Sequence, residues 1–125
     1  MPAPNKLFLY CAIYGVLVIF PQYWLETQIG KDYPPAITHP EYFYGFIGVG
    51  LAWQIAFFVI SMDPARYKWI ILPGIVEKLG FGLAVWRLYF YNRVPPALVV
   101  FGTIDLIMGA LFLHAFLRIR SYEFD

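Results

Sequence analysis

Tyr42–Met62 reads YFYGFIGVGLAWQIAFFVISM, 21 residues without one charged side chain. A helix rising 1.5 Å per residue needs about 20 residues to cross roughly 30 Å of hydrocarbon, so this stretch has the length of a membrane span. Working outward, three more apolar runs of similar length follow the same reading: about 7–25 before it, then 67–91 and 95–117. A transmembrane β-barrel would show segments of about ten residues in strict alternation, and this sequence has none. Lipid offers the backbone no hydrogen-bond partners, which favours helices. The expected fold is all-α: one transmembrane domain over 1–125, an antiparallel four-helix bundle, with 26–41 as its only long connection.

Composition points the same way. Hydrophobic residues make up 61% of the chain and charged residues 14%, against a usual charged share of about 25%. The apolar excess excludes a disordered chain. A net charge of +1 without a basic stripe excludes nucleic acid as an expected partner. The lone Cys11 excludes an intramolecular disulfide or a multi-cysteine metal knuckle and reads as a small packing residue. The first run is expected to be retained rather than cleaved as a signal peptide. Only Lys6 precedes it, and Pro21-Gln22-Tyr23-Trp24 stands where a small-residue cleavage site belongs.

The ends of the runs carry aromatic and turn signals. Tyr23, Trp24, Tyr42 and Tyr44 suit one membrane interface, Tyr67 and Trp69 the other, and Tyr89 and Tyr91 the first again. Met62-Asp63-Pro64-Ala65-Arg66 predicts a tight turn with Asp63 capping and Pro64 at a first helical position. Asn92–Pro96 is the other short connection, and short connections imply antiparallel neighbours. Pro34, Pro35 and Pro40 predict an extended cover over the bundle mouth, held by Tyr42 and Tyr44. For orientation, Lys6, Arg66, Lys68, Arg118 and Arg120 share one side, against Lys31 and Arg93 with Arg87 near them. The positive-inside bias then places both termini in the cytoplasm and the 26–41 loop outside, in a bacterial cytoplasmic membrane.

Polar groups at mid-depth decide the candidate site. A charged side chain there costs at least about 2.5–3.5 kcal/mol, so it needs a partner or a task. Glu77 and Lys78 fall near the middle of the third run, Asp105 near the middle of the fourth, and Gln54 at similar depth in the second. Pro73, Glu77, Gly80 and Ala84 form a helical stripe, as do Gly102, Asp105 and Gly109, and Gly50, Gln54 and Phe57. Small residues admit close helix approach, so these stripes are expected to face the bundle interior. Glu77 and Lys78 diverge by about 100° around a helix, leaving Lys78 to snorkel or to swing toward Asp105. Three uses stay open: a structural polar network, a pocket for a lipophilic cation, sterol-like lipid or quinone, and proton transfer by Glu77 or Asp105. The candidate ligand-binding residues are Trp53, Gln54, Glu77, Lys78 and Asp105; the candidate catalytic residues are Glu77 and Asp105.

The histidines do not form a metal site. His39 lies in the long connection and His114 toward the far end of the fourth run, on opposite sides of the expected membrane. Gly45, Gly48 and Gly50 lack the spacing and the strand context of a nucleotide fingerprint. No cofactor follows from the residues.

Six short runs carry a resemblance: His39-Pro40-Glu41, Tyr44-Gly45-Phe46, Leu51-Ala52-Trp53-Gln54, Asp63-Pro64-Ala65-Arg66-Tyr67, Glu77-Lys78-Leu79-Gly80-Phe81-Gly82 and Phe101-Gly102-Thr103-Ile104-Asp105. Over about residues 39–118 the chain resembles small bacterial four-helix membrane proteins of unknown function, similar in layout to the DoxX-like assemblage. That likeness implies association with a larger membrane complex, since DoxX is named as a quinol oxidase subunit. In architecture the chain is also similar to the EXPERA four-helix fold of sterol isomerases and related ligand-binding proteins. Two functions follow as expectations. One is an accessory or lipophile-binding subunit, self-associating or part of a complex; the other is a small isomerase-like enzyme using Glu77 or Asp105 for acid–base chemistry.

Overall fold

The computed structural model describes residues 3–124, with side chains through Ile119. Arg120, counted above for orientation, lies outside the described side chains. The described residues are all-helical without strands: α1 (Pro4–Ile19), a 3-10 turn (Phe20–Trp24), α2 (Glu26–Asp32), α3 (Pro40–Met62), α4 (Lys68–Phe90) and α5 (Pro96–Phe124). Four segments are long and apolar enough to cross a membrane: Pro4–Trp24, Pro40–Met62, Lys68–Phe90 and Pro96–Ile119. The chain forms two compact units, Met1–Ser61 and Met62–Asp125.

In the first unit α1 and α3 meet in reverse order. Phe8 lies 6.4 Å from Phe57, Gly15 faces the Gln54 side chain, Ile19 reaches Gly50, and Tyr23 stacks on Tyr44 at 6.1 Å. The buried face of α3 is Ile47, Gly50, Gln54, Phe57 and Ile60, a helical repeat of three and four. The connection 25–39 departs from expectation: its first half is α2, not extended cover. Glu26–Asp32 precedes the prolines that would forbid a helix, and a Gln28–Asp32 hydrogen bond of 2.9 Å ties its ends. Pro34 and Pro35 then follow α2, and His39 stacks on Tyr42 at 4.9 Å as α3 begins.

In the second unit α4 and α5 also meet in reverse order, from Trp69 on Phe116 to Trp86 on Thr103. Glycines set the approach. A Cβ on Gly82 would stand 2.7 Å from the Gly102 carbonyl oxygen and 2.6 Å from Leu106 Cγ, while one on Gly102 would stand 3.0 Å from Val85. The Trp86 indole N–H donates to Thr103 Oγ1 at 3.1 Å and closes the same seam.

The connections explain themselves locally. Asp63 does cap, but it caps a turn: its Oδ1 accepts from the Arg66 N–H at 3.3 Å, and α4 begins only at Lys68. At the other end of α4, Asn92 adopts φ 58°. The Arg93 N–H donates to the Leu88 carbonyl at 2.9 Å and the Asn92 N–H to Tyr89 at 3.0 Å, the paired bonds of a Schellman motif. Asn tolerates that left-handed position because its short polar side chain bonds locally.

Candidate functional site

The buried face of α4 is Lys68, Ile71, Gly74, Ile75, Lys78, Gly82 and Val85. This corrects the expected stripe: Pro73, Gly80 and Ala84 are exposed, and a Cβ on Gly80 would meet nothing within 4 Å. Lys78, not Glu77, sits on the packed face. Its side chain is 3% exposed against 21% for Glu77.

The two groups nevertheless converge. Lys78 Nζ lies 3.6 Å from Glu77 Oε2, because the long lysine stem bends back across the 100° that separates neighbouring positions. Gly109 of α5 admits that stem, since a Cβ there would already stand 3.5 Å from Lys78 Cβ. Asp105 is half-buried on α5 between Gly102, which faces Val85, and Gly109, which faces Leu79 and Lys78. The hairpin α4–α5 therefore carries the Glu77–Lys78 ion pair on α4 and a second carboxyl group, Asp105, on α5. Glu77 Oε2 is itself buried and receives no hydrogen bond from the described residues.

Gln54 and Trp53 belong to the first unit. Gln54 is fully buried; its Nε2 donates to the Gly50 carbonyl at 2.9 Å, and its Oε1 has no hydrogen-bond partner. Trp53 is half-buried, its ring 6.1 Å from that of Phe57 four residues on. His114 is exposed, and His39 pairs with Glu41 at 3.1 Å. Among the described residues no group of three His, Cys, Asp or Glu side chains could hold a metal ion.

Two features escaped the sequence reading. One is Gly15, whose missing side chain makes room for Gln54. The other is an open crevice of about 430 Å³ at the end of α4, lined by Arg87, Phe90 and Tyr91. An arginine three residues from the end of an apolar helix, flanked by aromatic residues, was the legible signal for it.

No protein-family model, curated protein or solved structure matches this chain.

Proposed function

We propose that the protein is an integral membrane protein whose four long helices span the bilayer as an antiparallel bundle, with both termini in the cytoplasm. In this reading it is an accessory or lipophile-binding subunit of a bacterial cytoplasmic membrane, and Glu77, Lys78 and Asp105 hold the polar end of the ligand. One observation carries the reading: a buried carboxylate oxygen of Glu77 faces a buried ammonium group without receiving a hydrogen bond. The ion pair at 3.6 Å is too long for a hydrogen bond, so in a low-dielectric interior this oxygen keeps acceptor capacity for a further donor. A hydroxyl-bearing lipophile, a sterol-like lipid or the reduced form of a quinone, supplies the missing donor. With all three groups ionised the cluster also carries one excess negative charge, which a single ammonium group does not neutralise.

The test is native mass spectrometry of the full chain extracted in mild detergent, comparing wild type with Glu77→Gln and Asp105→Asn. Folded amide variants that lose a co-purifying lipophile support the reading. Unchanged ligand content and unchanged partner association leave only a packing role for the cluster and defeat it. Topology is checked separately: a reporter after Asp125 should be active in the cytoplasm, and a tag within Gly30–Pro35 should label from outside. Labelling of both positions from one side would overturn the four-span arrangement.

A further inference from the structure

The crevice at the end of α4 lies apart in sequence from the Glu77–Lys78–Asp105 cluster, and its chemistry differs. The Arg87 guanidinium lies over the Tyr91 ring at 5.8 Å. That contact holds the cation in place but leaves its N–H groups free to donate, since a ring face accepts charge rather than fork-shaped hydrogen bonds. Among the described residues no ion pair or side-chain hydrogen bond engages Arg87. A guanidinium presents five donors in a planar fork that matches the oxygens of a phosphate. Phe90, 72% exposed, forms the adjoining wall. One helical face below, Val76 and Leu83 are exposed as well, so apolar surface continues from the crevice along α4.

We propose that this crevice binds the phosphate of a phospholipid, with Arg87 as the phosphate ligand, Phe90 and Tyr91 as its walls, and an acyl chain along Leu83 and Val76. The volume of about 430 Å³ falls within the roughly 300–1,000 Å³ of small-molecule sites. A helix C-terminus ordinarily repels an anion. Here the Schellman bonds occupy the Leu88 and Tyr89 carbonyls, and Arg87 adds a full positive charge in the last turn. The proposal rests on the membrane reading for the source of its ligand, but it uses none of the residues of the Glu77–Lys78–Asp105 cluster.

The experiment uses the full chain in mild detergent, titrated with a short-chain phosphatidylglycerol and read by native mass spectrometry as lipid adducts per chain. Arg87→Gln should weaken adduct formation about tenfold, the loss of one charge-assisted contact. Arg87→Lys should retain part of the binding, because an ammonium is a point charge without the fork. Arg93→Gln, at the same end but outside the crevice lining, should change it less than about twofold. Thermal unfolding should change only slightly in Arg87→Gln, since the exposed cation–π contact with Tyr91 is lost but no ion pair or hydrogen bond is. Equal adduct formation by wild type and Arg87→Gln overturns the proposal. So does displacement of the lipid by inorganic phosphate at equal concentration, which would mark a free-phosphate site. Loss of a dimer signal rather than of lipid adducts in Arg87→Gln would overturn it in favour of a second copy of the chain. Intact phosphatidylglycerol binding together with failure of the Glu77→Gln test would sink the lipophile site alone; the converse would sink this one alone.

Discussion

The Oε1 atom of Gln54 occupies the place where a side chain on Gly15 would begin. The oxygen is buried and has no hydrogen-bond partner among the described residues. Gly15→Ala should therefore destabilise the protein by about 1–3 kcal/mol, the usual range for overpacking. Truncating the obstacle as well, in Gly15→Ala with Gln54→Ala, should recover most of that loss. A double-mutant cycle on detergent-solubilised protein reads the coupling, and additive effects would show that the two positions do not press on each other.

Gly80 and Gly82 make a controlled contrast two residues apart. A Cβ on Gly82 meets the Gly102 carbonyl oxygen at 2.7 Å, and backbone cannot rotate away. Gly82→Ala should cost the upper part of about 1–3 kcal/mol. Gly80→Ala meets open space and should be neutral or stabilising by up to about 1 kcal/mol through helix propensity. Equal melting shifts for the two variants would refute the seam described between α4 and α5.

Lys78 should be the more damaging of the adjacent pair to lose. Lys78→Met strands Glu77 beside an apolar group and should cost about 3–5 kcal/mol. Glu77→Gln keeps an acceptor near the ammonium group and should cost no more than about 1–2 kcal/mol. Combining the two substitutions should restore stability toward wild type. The result to watch is the Glu77→Gln loss itself: a variant as stable as wild type would show that the ion pair is not what holds Lys78 in the interior.

Asn92 should accept glycine and refuse a branched side chain. Its φ of 58° costs an ordinary L-residue about 1–2 kcal/mol. Asn92→Val should lower the melting temperature accordingly, whereas Asn92→Gly should fall within a few tenths of a kcal/mol of wild type. A tolerant Asn92→Val would argue against the Schellman turn at the end of α4.

The four long apolar helices were legible in the sequence because length and hydropathy are properties of a whole segment. Facing was not. In a helix apolar on every side, the packed stripe is chosen by shape, and the small residues Pro73, Gly80 and Ala84 suggested a face that α4 leaves exposed. Gly82 marks the α4 side of the seam, and only its contacts with Leu106 and the Gly102 carbonyl distinguish it from Gly80. The same limit applies at the candidate site. Depth along the helix placed Glu77, Lys78 and Asp105 at one level, but which of two neighbours turns inward depends on how far a lysine stem bends. In the long connection the prolines signalled chain that is not helical, which holds from Pro34 to His39 although that chain is bent rather than extended, and their weight concealed the seven helical residues before them.

Each helix pair closes its interlocking contacts within one half of the chain, and this bears on synthesis. The α1–α3 contacts are complete in sequence by Phe57, while α4 and α5 have yet to leave the ribosome. The pair made second has the easier closure, since 91–95 is about a third the length of 25–39. For flexible loops that ratio is worth about 1 kcal/mol of closure entropy. The first hairpin thus gains time where it lacks proximity, and the second gains proximity where it lacks time.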